Sequence, residues 1–185
     1  MIFATKVSAL TYLLFDNCMN GIYLIIGGNL GKRAQYLAQS RSDIDAQIGT
    51  ILKQSSIYET SSWGNTTQHP FLNQVLYLET TLDAESILQT CLAIEKKIGR
   101  IRGAKWDARI IDIDILFFNN EIIAKEQLKI PHPFLHLRRF VLTPLHEIAP
   151  HLVHPILQQS ITQLLQNCED GLAVRKITES SFYDN

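Results

Sequence analysis

Four segments of the chain have the hydrophobic patterns of β-strands. The first, "IYLIIGG" at 22–28, is an apolar run closed by glycines, as in a buried strand. The segments "TILKQSSIYET" at 50–60 and "FLNQVLYLET" at 71–80 are rich in β-branched and aromatic residues. The ten polar and aromatic residues between them, 61–70, make a connection longer than an ordinary hairpin loop. We therefore expect that connection to have a function.

The fourth strand, "RIIDIDILFF" at 109–118, contains two aspartates. Strict alternation places Asp112 and Asp114 on one face. It places Ile110, Leu116 and Phe118 on that same face, and Ile111, Ile113, Ile115 and Phe117 on the other. Carboxylates on Cα atoms ~6.6 Å apart repel by roughly 2 to 3 kcal/mol at an effective dielectric of about 20. Protonation, basic side chains or cations such as Mg²⁺ would offset this repulsion, unless the strand end simply reaches solvent.

Two intervening segments have the period of amphipathic helices. The first is predicted to end at Gly49, and its apolar stripe consists of Leu30, Ala34, Leu37, Ile44 and Ile48. The second begins after Asp83, a residue type that caps helix N-termini. Its stripe consists of Ile87, Cys91, Ile94 and Ile98, widened by Leu88 and Leu92.

The resulting order is β-α-β-β-α-β, which predicts an α+β, ferredoxin-like core with an antiparallel sheet flanked by helices. Five of the six prolines follow Phe118, so we expect only short regular structure in this C-terminal proline-rich extension, with one further helix at 156–167. We divide the chain into an N-terminal extension (1–21), one domain (22–170) and a C-terminal tail (171–185). Residues 1–18 are either a dispensable extension from an early start or an added helix packed on the core.

Composition narrows the class of protein. A hydrophobic content of 46% and a net charge of −1 fit a soluble globular domain and argue against a nucleic-acid-binding protein or a disordered chain. The apolar run at 7–15 is too short to span a membrane. Three widely separated cysteines suggest a reducing cytoplasm, and neither they nor the histidines have zinc-ligand spacing. We expect a cytoplasmic monomer whose partners are small molecules, with no nucleic acid and no membrane.

The strongest chemical signal is a run of cations that leads directly into the two aspartates. It consists of Lys96, Lys97, Arg100, Arg102, Lys105 and Arg109. A solvated helix end would also account for these cations. Next to the acids, however, they fit a polyphosphate with bound Mg²⁺. The segment "GGNLGKR" at 27–33 lacks the spacing of a phosphate-binding glycine loop.

A second set of residues fits a flat heterocycle. Trp63, Phe71 and Phe140 provide aromatic faces, and Asn73 offers amide donors and an acceptor to a ring edge. In the proline-braced segment at 131–150, His132, Arg138 and Arg139 are candidates for phosphate contacts, although His132 is equally well explained as a structural histidine.

Several motifs together resemble the 6-hydroxymethyl-7,8-dihydropterin pyrophosphokinase family over roughly Ile22 to Leu165. The motifs are "R-x-x-D-x-D-I" at 109–115, "GRIR" at 99–102, "PHPFLHLRRFVLTPLHEIAP" at 131–150, "GGNLG" at 27–31, "YET" at 58–60 and "FLN" at 71–73. Enzymes of that family transfer diphosphate from ATP to a pterin alcohol in the folate pathway and release AMP.

The resemblance implies a role for each matching residue. Asp112 and Asp114 would bind two Mg²⁺ ions and, with Arg100 and Arg109, form the catalytic group. The residues expected to bind ATP are Glu95, Arg100, Arg102, Arg109, His132 and Arg138. The residues expected to hold the pterin are Thr60, Trp63, Phe71, Asn73 and Phe140. In the family, the loops matching 61–70 and 99–109 close over the substrates.

The chain departs from the family pattern at three places. Gly28 replaces the serine of "GSNLG", and we expect it to add backbone freedom. "KWDAR" replaces "RWGPR" in a loop that is one residue shorter, which puts Lys105 where an arginine is common. We expect weaker ATP binding or slower closure of this loop, because lysine lacks the two parallel donors of a guanidinium. Ser61 stands where a proline is frequent.

Two other functions fit the predicted fold. One is a different Mg²⁺-dependent phosphoryl or nucleotidyl transferase with another acceptor. The other is a non-catalytic RNA-binding module, which the absence of aromatic-rich strands and of a basic charge disfavours.

Overall fold

The computed structural model describes residues 19–61, 69–101 and 108–178. The predictions for residues 1–18 lie outside this part of the chain. The strands are β1 (Asn20–Gly28), β2 (Thr50–Gln54), β3 (Tyr58–Thr60), β4 (Phe71–Thr80), β5 (Asp112–Phe118), β6 (Ile123–Ala124), β7 (Lys129–Ile130) and β8 (Val174–Lys176). The helices are α1 (Arg33–Gln47), α2 (Ala84–Ile98), α3 (Arg139–Ile148) and α4 (Ile161–Gln166), with a 3₁₀ turn at Leu135–Leu137.

The main sheet is antiparallel and has the order β5-β1-β4-β3-β8. β2 also pairs with β4, next to residues 76–79, whereas β3 pairs with residues 71–73. The predicted strand at 50–60 is therefore two strands along one edge of β4. This arrangement, with α1 after β1 and α2 after β4, confirms the predicted ferredoxin-like topology.

Both ends of α2 follow from local sequence. The carboxylate of Asp83 accepts a hydrogen bond from the backbone N–H of Ser86 at 2.7 Å, and Gly99 ends the helix in the left-handed region with φ 108°. The predicted stripe is correct here, since Ile87, Cys91 and Ile94 are buried. For α1 the prediction extends too far, because the helix begins at Arg33 and Leu30 is exposed.

The sheet is covered on both faces. On one face α1 and α2 enclose residues such as Leu24, Ile87 and Ile113, and on the other Val75 and Leu116 belong to a second core. This second core includes the following buried residues of α3 and α4: Val141, Leu142, Leu145, Ile161 and Leu164.

The expectation of only short regular structure after Phe118 is wrong for α3, which has ten residues and contains Pro144. Burial of the apolar face of α3 offsets the backbone hydrogen bond that the proline cannot donate. The helix predicted at 156–167 is shortened to Ile161–Gln166. Ser160 and Gln163 form a capping box that sets its start.

A β-bulge changes the predicted faces of β5. Leu24 pairs with Ile115 and Tyr23 pairs with Phe117, which leaves Leu116 as an extra residue. As a result Phe117 packs in the second core with Leu116, and Phe118 packs in the first core with Ile115. The prediction for Phe117 and Phe118 is therefore wrong. The prediction for Ile110 is wrong as well, because Ile110 packs against the first core and Leu116 belongs to the second.

The C-terminal segment joins the sheet. Val174–Lys176, which was predicted to belong to the C-terminal tail, pairs with β3. Arg139 anchors the preceding turn, since it donates to the carbonyls of Asp170 and Cys168 at 2.6 and 2.8 Å. In the described part of the chain, no helix has both the length and the apolar character to cross a membrane.

Candidate active site

Those predicted functional residues that the structure describes meet at one edge of the sheet, where β1 ends and β4 and β5 begin. Gly27 of β1 pairs with Asn73 of β4 on one side and with Asp112 of β5 on the other. Tyr58 of β3 pairs with Asn73 and extends the same row. Adjacent strands are ~4.8 Å apart, so Asp112 and Asn73 stand ~10 Å from each other, with Gly27 between them.

Two glycines permit the close packing of this edge. A Cβ on Gly27 would lie 2.3 Å from Oδ1 of Asn73, and a Cβ on Gly28 would lie 2.2 Å from the carbonyl oxygen of Ile110. Among the described glycines, only Gly31 and Gly99 have positive φ. Gly28 is therefore needed for close approach to the 109–110 backbone, and the expectation that it adds backbone freedom stays a prediction.

Charged side chains surround Asp112 at the start of β5. Arg100 pairs with both Glu95 and Asp112, and Arg109 pairs with the other carboxylate oxygen of Asp112. Glu95 is buried and also accepts a hydrogen bond from the backbone N–H of Ile113 at 2.8 Å. Two members of the cation run, Arg100 and Arg109, thus converge on the first of the two aspartates, whereas Lys97 pairs with Asp43.

Asp114 lies in a less favourable environment. Burial and then the charges of Asp112 and Glu95 raise the pKa of its carboxyl far above the ordinary value, and Arg138 and Arg100 offset this only in part. Burial likewise raises the pKa of Glu95. Because these shifts reflect first the cost of burying negative charge and then the repulsion between neighbouring acids, a divalent cation at this position would relieve them.

His132 and Arg138 face this acidic group from the segment after β7. The Nδ1 atom of His132 accepts a hydrogen bond from the backbone N–H of Phe134 at 3.2 Å. Burial and the nearby Arg138 lower the pKa of His132 to about 4. The imidazole is therefore neutral at pH 7 and keeps its Nε2–H as a donor. The guanidinium of Arg138 lies 5.3 and 5.8 Å from the ring centroids of Phe134 and Phe140.

The other end of the row is uncharged. Asn73 is only 4% exposed, and its amide donates to the hydroxyl of Thr60 at 3.1 Å. Thr60 pairs with Phe71 across β3 and β4, so these three residues form a polar and aromatic corner. Such a corner suits a flat ring with hydrogen-bonding groups on its edge.

Comparison with known proteins identifies the family. The family profile described as 7,8-dihydro-6-hydroxymethylpterin-pyrophosphokinase (HPPK) matches residues 23–150. The chain belongs to this family. The motif resemblance noted in the sequence is thereby confirmed, and the reaction of the family is pyrophosphoryl transfer from ATP to hydroxymethyldihydropterin in folate biosynthesis.

Relatives and solved structures agree with this assignment. The 2-amino-4-hydroxy-6-hydroxymethyldihydropteridine pyrophosphokinase of Aquifex aeolicus is 39% identical over 145 residues, which are 78% of this chain and 90% of that protein. The enzyme of the same name from Bacillus subtilis is 42% identical over 133 residues, which are 71% and 80% of the two chains. A crystal structure of Plasmodium falciparum HPPK-DHPS with pteroate has a TM-score of 0.64 at 17% identity. The match covers 80% of this chain and 44% of that longer one, and it shows the fold alone.

Within this HPPK fold, the predicted residues fall into two groups around Gly27. Residues on the charged side are Glu95, Arg100, Arg109, Asp112, Asp114, His132 and Arg138, and residues on the β3–β4 side are Thr60, Phe71 and Asn73. Phe140 lies beside Arg138 at the start of α3. Trp63, Arg102 and Lys105 lie outside the described residues. Arg139 anchors the C-terminal segment and takes no part in the charged group.

No cluster of three or more His, Cys, Asp or Glu side chains suited to a metal ion occurs within 19–61, 69–101 and 108–178. Asp112 and Asp114 carry carboxylate oxygens, which are hard donors, at alternate positions of one strand, and Arg100 and Arg109 pair with Asp112. This donor set fits Mg²⁺, which commonly takes one or two protein carboxylates and completes its coordination with substrate phosphates and water.

Sequence reasoning gave no role to Asn29, although it lies in the quoted motif "GGNLG". Asn29 is 1% exposed and makes hydrogen bonds to residues on both sides of the site. An asparagine directly after a glycine-terminated strand is a common turn residue, so its pattern alone did not single it out.

Proposed function

We propose that the edge formed by β5, β1, β4 and β3 is where this chain transfers diphosphate from ATP to 6-hydroxymethyl-7,8-dihydropterin. The observation that carries the proposal is the row Asp112, Gly27, Asn73. It sets a charged phosphate side and a heterocycle side ~10 Å apart across two strand spacings. Membership of the HPPK family and relatives bearing that enzyme's name support it.

In the proposed reaction, the hydroxymethyl oxygen of the pterin attacks the β-phosphorus of ATP. A bond forms between that oxygen and the β-phosphorus, and the bond from the β-phosphorus to the oxygen bridging to the α-phosphorus breaks. AMP leaves with the bridging oxygen, and the hydroxyl proton passes to solvent. Positioning and charge neutralisation supply most of the rate in chemistry of this kind.

The basic residues bind and neutralise the triphosphate. Arg100 and Arg109, which pair with Asp112 here, would exchange carboxylate for phosphate oxygens when ATP binds. Arg138 would contribute a third positive charge, and neutral His132 would donate its Nε2–H to a phosphate oxygen. Glu95 would keep Arg100 in place through their ion pair.

Asp112 and Asp114 would hold two Mg²⁺ ions. When bound, these ions neutralise phosphate charge and make the pterin hydroxyl more acidic. The raised pKa of Asp114 supports this assignment, because a carboxylate that burial and Asp112 make costly to ionise gains most from a nearby cation.

On the other side of Gly27, Asn73 and Thr60 would read the pterin edge, and Phe71 and Phe140 would stack on its faces. We also propose a monomeric, cytoplasmic enzyme whose partners are small molecules only. The free, buried thiols of Cys91 and Cys168 support a reducing compartment.

A product assay tests the proposed function. Purified protein is incubated with ATP, Mg²⁺ and 6-hydroxymethyl-7,8-dihydropterin, and AMP and pterin diphosphate are quantified by chromatography. The expected result is equimolar formation of both products, abolished by EDTA and by omission of the pterin. ATP left intact by folded protein would overturn the proposal. AMP release with another acceptor would indicate a different transferase, and salt-sensitive RNA retention without turnover would indicate a binding module.

A further inference from the structure

Asn29 connects the two sides of the site through three hydrogen bonds. Its backbone N–H donates to the carbonyl of Arg109 at 2.9 Å, and its Oδ1 accepts from the N–H of Arg109 at 2.8 Å. Its Nδ2 donates to the carbonyl of His69 at 3.3 Å. His69 and Arg109 are 40 and 80 residues away in sequence, so the contacts join three distant segments at the end of β1.

The segments that Asn29 joins lead to functional side chains on opposite sides. Arg109 carries the guanidinium that pairs with Asp112, and His69 lies two residues before Phe71. The side chain of Arg33 donates to the next carbonyl, that of Pro70, at 2.6 Å and pairs with Glu59. Asn29 thus reaches both the phosphate side and the pterin side, whereas Arg33 supports the pterin side.

An asparagine is specifically suited to this position. Its amide offers an acceptor and a donor at the same time, and both are used here. Aspartate would keep the acceptor for Arg109 and lose the donor to His69. Alanine would lose both side-chain contacts, so the N–H of Arg109 and the carbonyl of His69 would each lose a partly buried hydrogen bond.

We propose that Asn29 is a positioning residue that sets the placement of Arg109 relative to Phe71, and so aligns the triphosphate with the pterin. This inference rests on the proposed function. Asn29 acts through the backbones that it holds and need not touch either substrate.

Three variants separate the contact of Asn29 with Arg109 from its contact with His69. They are Asn29→Ala, Asn29→Asp and the matched control Arg33→Ala. The readouts are KM for ATP, KM for the pterin, and kcat. We expect Asn29→Ala to raise both KM values by about three- to tenfold, the effect of one lost hydrogen bond each. Asn29→Asp and Arg33→Ala should raise the KM for the pterin by a similar factor and change the KM for ATP less than twofold.

A purely structural role would give a different result. It would lower kcat in proportion to the loss of folded protein, measured by thermal unfolding, and would leave both KM values unchanged; that result would overturn the inference. It would also be overturned if Arg33→Ala raised the KM for ATP as much as Asn29→Ala does.

Failure of the proposed function would be recognised separately. If the wild-type protein forms no AMP, that function is wrong. The two affinities are therefore also measured at equilibrium, with pterin fluorescence quenching and with calorimetry of a non-hydrolysable ATP analogue. Unchanged affinities in Asn29→Ala would then refute the role of Asn29 even without turnover.

Discussion

Replacing Asp114 with asparagine should stabilise the metal-free protein while lowering its turnover by orders of magnitude. The neutral, nearly isosteric amide removes the partly buried charge of Asp114, whose Cα atom lies ~6.6 Å from that of Asp112. At an effective dielectric of about 20, this repulsion is roughly 2 to 3 kcal/mol. The loss of attraction to Arg138 and Arg100 offsets part of the gain. We therefore expect a net increase of about 1 to 2 kcal/mol in the free energy of unfolding.

The gain should depend on pH in a defined direction. The pKa of Asp114 in the folded state is raised above its unfolded value, so the native state holds this proton more tightly. The wild-type protein thus loses stability as pH rises from about 4 through the folded pKa. The difference between Asp114→Asn and wild type should be small at pH 4 and full at pH 8. Urea unfolding in EDTA measures this difference in the free energy of unfolding. Each kcal/mol corresponds to a shift of about 2 to 4 °C in Tm for a domain of this size.

Asp112→Asn provides the matched control on the same strand face. Asp112 is paired with Arg100 and Arg109, so its neutralisation removes favourable contacts and should lower the free energy of unfolding by about 1 to 2 kcal/mol. Both variants should lose roughly two to three orders of magnitude in turnover. Two results would refute the assignment of Asp114 as a metal ligand whose charge is unfavourable without metal. One is a lower stability of Asp114→Asn than of wild type in EDTA at pH 8, and the other is near-native turnover of this variant.

Two further predictions concern Gly27 and His132. Gly27→Ala places a Cβ 2.3 Å from Oδ1 of Asn73. Steady-state kinetics should therefore show a KM for the pterin raised by about tenfold and a nearly unchanged KM for ATP. Equal changes in the two KM values would contradict the division of the site around Gly27. The pKa of His132 falls from 6.5 to about 4 on folding, so between pH 6.5 and pH 4 the unfolded chain takes up a proton that the native protein does not. The free energy of unfolding should therefore fall by up to about 3 kcal/mol as pH drops from 6.5 to 4. A His132→Gln variant should lack this slope in urea titrations, and parallel wild-type and variant curves would count against a buried neutral imidazole.

The features predicted correctly from sequence are those that local physics determines. The cap at Asp83, the end at Gly99 and the stripe of α2 depend on residues within one helix. The strands β1, β4 and β5 were identified because each is a hydrophobic run ended by turn residues, whereas the segment at 50–60 forms the two strands β2 and β3. The candidate site residues were named from motifs and from the family resemblance, and it is the fold that brings the end of β1 beside the starts of β4 and β5.

The features that were missed depend on contacts between distant residues. The bulge at Leu116 leaves the order of residues unchanged, so alternation assigned Phe117 and Phe118 to the wrong faces. The length of α3 was underestimated because a proline such as Pro144 locally favours short regular structure. In the fold, packing of the apolar face of α3 in the second core stabilises the longer helix. The role of Asn29 depends on backbone groups 40 and 80 residues away, which no local pattern indicates.

The central claim is that this site moves the β- and γ-phosphates of ATP together onto the pterin. Parallel reactions with ATP labelled with ³²P at the α-, β- or γ-position test it directly. The account predicts that β- and γ-label appear in equal amounts in the pterin product and that all α-label remains in AMP. Transfer of γ-label alone, with release of ADP, or of α-label to the acceptor would contradict it.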